Sequence, residues 1–175
     1  MDKYSGVIYN IHMKPKSFIS DSSSLILLAK AGLLDLLCRN ARILITQTIT
    51  EEIFFNSKDS RLIRALISAE KITVKKIKDS GLPASLDKGE RTVVNLFREM
   101  EADYLLLDDK KAAIYCKRNS VPFVNALLIP LYLRKCEAID GQTTERKITL
   151  LKEIGRYSEW IKEYVSKKEH TFWQL

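Results

Sequence analysis

The feature that most restricts the fold is an alternation of two kinds of segment. Short, continuous apolar runs at residues 17–20, 41–45, 72–77, 104–107 and 122–124 read as strands. Between them, residues 24–39 (broken or bent near Gly32), 46–55, 60–69, 87–100, 110–118 and 125–136 read as helices. Strands that lack polar–apolar alternation are buried on both faces, and strands that take turns with helices form a parallel sheet covered on both sides. The class is therefore α/β with a central parallel sheet. Ile72, Val74 and Ile77 stand among lysines, which suits an edge strand with its charges outward.

The pattern changes after Asp140. Leu150, Ile154, Tyr157, Ile161 and Tyr164 recur at spacings of four, three, four and three, which predicts one amphipathic helix. Such a stripe packs on its own domain or serves a dimer or partner contact. The chain thus divides into an N-terminal arm (1–16), an α/β domain (17–140) and a C-terminal helical extension (141–175). A length of 175 residues supports one ordinary domain.

Composition excludes several classes. Cys38, Cys116 and Cys136 are odd in number and form no CxxC pair, so a disulfide framework or thiolate zinc site is not expected, and a reducing cytoplasm is. His12 and His170 lie near opposite ends with no ligand spacing. The longest uncharged stretch, residues 119–133, is shorter than the ~20 residues a membrane span needs. Lys+Arg of 29 against Asp+Glu of 22 gives a net charge of +7, which favours an anionic partner such as nucleic acid. No GxGxxG or GxxxxGK[ST] loop is present, which counts against a nucleotide-binding Rossmann domain.

In parallel sheets, functional groups gather where strands end at their carboxyl edge. Asp21 ends the first strand, Asp108 and Asp109 end the fourth, Glu51 and Glu52 follow the second, and Asp87 and Glu90 open the helix before Tyr104. Oxygen ligands of this kind suit hard divalent cations. Each acid also has a structural reading. Asp21, with Ser22, Ser23 or Ser24, can cap the first helix, Asp109 can cap the helix from Lys110, and Asp87-Lys-Gly-Glu90 resembles a capping box.

The order of these pieces resembles the PIN-domain nucleases. Ile19-Ser-Asp-Ser-Ser-Ser-Leu25 looks like their opening strand and Asp, and Ile43 to Ile53 is similar to their second strand and Glu-bearing helix. Leu86-Asp-Lys-Gly-Glu90 resembles the Gly-Glu of a prokaryotic subgroup, and Ala102 to Ala112 is similar to the closing acidic turn. The resemblance covers roughly Phe18 to Asp140. It departs from the family pattern at Thr46-Gln47, at Asn125 and at Pro130.

The resemblance implies a three-layer α/β/α sandwich and Mg²⁺- or Mn²⁺-dependent endoribonuclease activity, of the kind found in VapC-like toxins of toxin–antitoxin pairs. It implies Asp21, Glu52, Glu90 and Asp109 as catalytic and metal-binding acids, with Asp108 as a substitute or helper and Ser23 as a supporting hydroxyl. Glu52 is preferred to Glu51 because it directly precedes Ile53. The four acids carry −4 and two divalent ions +4, so a two-ion site is neutral when filled. The rest of the chain carries +7 + 4 = +11. Lys110 with Lys117, and Lys111 with Arg118, share helix faces that could hold RNA phosphates or simply be solvated. The expected partners are RNA, a small antitoxin protein and a second copy of the chain. The alternative is a PIN-fold module that binds RNA or protein without turnover. DNA as the substrate stays open.

Overall fold

The computed structural model describes residues 14–54, 59–79 and 81–168. Most of the expected N-terminal arm, including His12, falls outside them, as do Phe55 and His170. Five strands form one parallel sheet: β1 (Ser17–Ser20), β2 (Arg42–Thr46), β3 (Ile72–Lys75), β4 (Tyr104–Leu106) and β5 (Phe123–Val124). Their order across the sheet is β3-β2-β1-β4-β5. Phe18 of β1 faces Ile43 on one side and Tyr104 on the other. Helices cover the sheet on both faces, which makes the α/β/α sandwich that the alternation predicts.

The helices begin and end where their sequences require. α1 (Ser22–Lys30) starts two residues earlier than its apolar run, because Asp21 caps it by accepting from the Ser24 N–H. Gly32, at φ +67°, separates it from α2 (Leu34–Asn40). The Gly32 N–H bonds the Ala29 carbonyl and the Leu33 N–H bonds that of Leu28, a pairing that needs a left-handed residue between the helices. Thr46 closes β2 and its hydroxyl accepts from the Ile49 N–H, so α3 (Gln47–Phe54) follows without a loop. α4 (Asp59–Ser68) leads into β3, and α5 (Lys88–Glu99) lies across β1, β2 and β4. Ile77 lies beyond the end of β3.

β4 stops at Leu106, one residue short of its apolar run, and α6 (Lys110–Arg118) follows the acidic turn. The run over 125–136 reads as one helix. It is a 3-10 turn (Ala126–Leu128) followed by α7 (Ile129–Lys135). Pro130 stands in the first turn of α7, where its missing N–H costs nothing.

The largest correction concerns the C-terminal stripe. It is two helices, α8 (Gly141–Ile154) and α9 (Glu159–Lys168), not one. The Gly155 N–H caps α8 on the Leu151 carbonyl, and Arg156 then takes φ +49°. A Cβ on Gly155 would lie 2.2 Å from Tyr157 Cε2, so the bare glycine lets the Tyr157 ring fold back against it. Of the stripe, Tyr157 is 7% exposed and Leu150, Ile154 and Ile161 pack partly buried against the core, while Leu151 and Val165, outside the stripe, are fully buried. The side chain of Tyr164 lies outside the described residues. α8 contacts α7 and α1, and Lys147 Nζ donates to the Ala31 carbonyl at 2.6 Å. The extension is thus part of the same hydrophobic core as the sheet.

Candidate active site

The strand order reverses between β1 and β4, and a crevice forms at the carboxyl ends of those two strands. The Asp21 N–H bonds the Leu106 carbonyl at 3.1 Å, which fixes the end of β1 beside the end of β4. Asp21 is 5% exposed. Its Oδ1 accepts from the Ser24 N–H at 2.8 Å, and its Oδ2 accepts from Ser23 Oγ at 2.9 Å and the Asp108 N–H at 3.3 Å. Burial raises its pKa, against the opposing hydrogen bonds from Ser24, Ser23 and Asp108.

Asp108 sits against Asp21 and is held from three sides. Ser24 Oγ donates to Oδ2 at 2.6 Å, the Tyr157 hydroxyl donates to Oδ1, and the Ala126 N–H reaches Oδ2 at 3.2 Å. Burial, then the charge of Asp21, pushes its pKa up to about 6. Tyr157 is itself pushed upward by burial and by Asp108, so its hydroxyl remains a donor.

The other acids are each tethered by one oxygen. Glu52 accepts from Ser22 Oγ on Oε2 at 2.8 Å, while its Oε1 lies over Gly89, where an added Cβ would come within 2.2 Å of it. Burial raises the Glu52 pKa, and the charges of Asp87 and Asp21 add to the shift. Glu90 forms the expected capping box: its Oε2 accepts from the Asp87 N–H at 2.8 Å, and Asp87 Oδ1 accepts from the Glu90 N–H at 2.8 Å. Asp109 caps α6 through Oδ1, which accepts from the Lys111 N–H at 2.6 Å and the Ala112 N–H at 3.1 Å. Burial, together with the hydrogen-bonded carboxyl of Asp109, raises Glu90 to about 7. The helix starts are locked in turn: Thr46 Oγ1 lies 3.0 Å from Thr92 Oγ1, which donates to the Gly89 carbonyl at 2.8 Å.

The structure therefore brings Asp21, Glu52, Glu90, Asp108 and Asp109 into one acidic row. Glu51 is left aside, on an open face with Lys76, Lys78 and Lys88. The ion pairs among the described residues use Asp35, Asp79, Asp103 and Glu159, so no lysine or arginine neutralises the row by direct pairing. Among the described residues, no three acidic, His or Cys side chains close on a common point as a metal cage. The donor set is all oxygen, and burial, joined at Glu52, Glu90 and Asp108 by neighbouring carboxylates, disfavours the bare anions, which is an environment a hard divalent cation fits. Asp21 and Asp108 each accept from three donors, whereas Glu52, Glu90 and Asp109 each keep an oxygen outside their tethers. Lys110, Lys111, Lys117 and Arg118 are all exposed on α6.

A family model described as a PIN domain matches residues 17–168. The chain belongs to the PIN-domain family. That match continues through α8 and α9, beyond the stretch over which the sequence motifs resemble the family. PIN domains are nuclease folds that use divalent metals, and the all-parallel sheet and acidic crevice agree with that description. A search of curated proteins finds no match. Among the described residues, no helix of this PIN domain is long and apolar enough to cross a membrane.

Four site neighbours were not singled out by sequence reasoning. Ser22 and Ser24 were visible only as cap candidates, and Gly89 only as part of a motif. Tyr157 carried the wrong signal: its spacing marks it as one member of an apolar stripe, and nothing local says that its hydroxyl reaches Asp108.

Proposed function

We propose that this PIN domain is a Mg²⁺- or Mn²⁺-dependent endoribonuclease and the toxin of a toxin–antitoxin pair. The observation that carries the reading is the row of five carboxylates at the β1–β4 crevice with no cationic side chain among the described residues paired to it. Such a row is costly unless a cation or a proton compensates it. Asp21, Glu52, Glu90 and Asp109 would hold the metal, with Asp108 supporting Asp21. Bound divalent ions lower the pKa of an attacking water and neutralise charge on the phosphate.

The chain's own groups supply position and charge. Ser22 and Ser23 donate to Glu52 and Asp21 and hold those carboxylates in orientation. Lys110, Lys117, Lys111 and Arg118 extend along the helix that leaves the row, where they can hold the flanking phosphates of a strand. The net +11 outside the four acids favours an anionic substrate despite the acidic crevice. The reading includes a small antitoxin covering the row, a homodimer and a cytoplasmic setting in which the three free cysteines stay reduced.

The test is cleavage of a labelled RNA pool with Mn²⁺ by the wild type and by Asp21→Asn. Metal-dependent cleavage that disappears in the variant supports the proposal. Cleavage that survives the substitution, or no cleavage of RNA by either protein, refutes it, and the second result favours a PIN-fold binding module.

A further inference from the structure

Beside the acidic row lies a cavity of about 290 Å³, bounded by the turn after β4, by α6, by β5 and by the start of α9. We propose that it is a nucleobase pocket, which takes one unpaired base of the RNA strand whose backbone crosses the row. This rests on the nuclease reading for its substrate and adds the site that would read sequence.

Four observations point to that ligand. Asp108 and Asp109 line the cavity, so its occupant is contiguous with anything held at the row. Its volume is at the small end for ligand pockets, which suits one ring system better than a peptide. Its walls include Phe123, Tyr157 and Ile114, and Ile114 is 39% exposed, so an apolar face is left open at the surface. Apolar and aromatic walls bind an unstacked base by its flat face. Lys117, three residues from Ile114 on α6, also lines the cavity, which places a cation where a nucleotide carries its phosphate.

Asn125 adds a polar edge. It lines the cavity, and its Oδ1 is buried without a hydrogen-bond donor among the described residues. A buried acceptor without a donor is unfavourable, and an amino or imino N–H on the edge of a base is a donor of the right kind. The carboxylate of Asp109 is likewise an acceptor, whereas the oxygens of Asp108 are already taken by Ser24, Tyr157 and Ala126. A pocket lined by acceptors and one cation selects a base with an exocyclic amine.

The probes are the four 5′-nucleoside monophosphates and ribose 5-phosphate, titrated by NMR into the full chain with EDTA present. The proteins are the wild type, Ala113→Phe, which fills the cavity, and Ile114→Ser, which strips its rim at an exposed position. At least one nucleotide with an exocyclic amine is expected to shift the α6 and β5 amides. Its binding should weaken about tenfold or more in both variants, the scale of losing one stacked base, while ribose 5-phosphate does not distinguish the three proteins. No nucleotide binding, or equal binding by all three folded proteins, overturns the pocket. RNA cleavage separates this from the parent reading. If Mn²⁺-dependent cleavage persists with an unchanged sequence preference in Ile114→Ser, the pocket fails and the nuclease stands. If nucleotides bind as expected but no RNA is cut, the nuclease reading fails and the base pocket stands.

Discussion

Replacing Tyr157 by Phe removes one oxygen and leaves the ring in place. The ring is 7% exposed and packs against Gly155, so the core contacts of the residue are kept. What is lost is the hydrogen bond to Asp108 Oδ1. A hydrogen bond to an ionised partner contributes about 1.5–3 kcal/mol, and one between neutral groups about 0.5–1.5 kcal/mol. Asp108 is pushed up to about 6 by burial and Asp21. It is therefore mainly ionised near pH 8 and mainly protonated near pH 5. The Tyr157 donor opposes the rise, so its removal lifts the folded pKa of Asp108 further from the unfolded value of 3.8. A native state with a higher carboxyl pKa binds more protons than the unfolded chain, and loses stability as pH rises through that interval. The cost of Tyr157→Phe should thus grow with pH, from about 1 kcal/mol near pH 5 to about 2 kcal/mol near pH 8. For a chain of this length that is a fall in Tm of about 2–4 °C and about 4–8 °C respectively. Urea unfolding in EDTA at the two pH values, followed by circular dichroism, measures both numbers. A cost that is equal at the two pH values, or larger at the acidic one, would refute the assignment of the Tyr157 hydroxyl to an ionised Asp108.

Three further outcomes follow from the same row of acids. The metal-free protein should lose about 2–3 kcal/mol of stability between about pH 4.5 and pH 7, because Glu90 is raised to about 7 and Asp108 to about 6, with Asp21 and Glu52 also raised; thermal melts in EDTA that are flat over this range, or rise with pH, would contradict it. Mn²⁺ at about a hundred times its Kd should add about 2.7 kcal/mol, or roughly 5–10 °C in Tm, near pH 8, and less near pH 5 where protons compete; an unchanged Tm with millimolar Mn²⁺ argues against a competent site. Gly89→Ala should leave Tm unchanged or raise it slightly, since Ala is the better helix former by up to about 1 kcal/mol, yet its Cβ must displace Glu52 Oε1 from 2.2 Å. The Mn²⁺ shift and RNA cleavage should both fall, and a full metal shift in this variant would remove Glu52 from the ligand set.

The sheet was legible because each strand is short and apolar on both faces, and because parallel strands need helical crossovers. Phe18-Ile19, Ile43-Leu44-Ile45 and Leu105-Leu106 could be little else, and all seven are buried. Element ends were legible where a single residue decides them, as at Gly32 and Asp87. They were not legible where a tertiary contact decides them. Leu150, Ile154, Tyr157 and Ile161 satisfy helical spacing whether the helix runs on or stops. Gly155 alone is tolerated inside a helix, so the break became definite only once Tyr157 had Asp108 to bond and a core to enter. No local pattern contains the identity of a partner 49 residues away.

The acids show why cap and site are not competing explanations. A cap uses a carboxylate oxygen to hold backbone N–H groups at the start of a helix, and in this sheet the helix starts stand at the carboxyl edge where a crevice forms. Asp21, Glu90 and Asp109 each bond a backbone N–H near a helix start, through Ser24, Asp87 and the Lys111–Ala112 pair respectively. Capping alone, however, predicts lowered pKa values, since hydrogen bonds to the ionised form favour it. Asp140, an isolated cap held by the Thr143 N–H, is lowered. Asp21 is raised despite the same kind of bond because burial outweighs it, and Glu90 because burial and the neighbouring Asp109 and Asp87 do. The contrast separates an exposed cap from one buried in the site, and Asp21→Asn is the substitution that divides the two roles. Asparagine caps about as well as aspartate, so the fold should hold near pH 8 or gain stability from the lost repulsion with Asp108. A marked loss of stability would mean that the charge of Asp21 serves the fold and not the site.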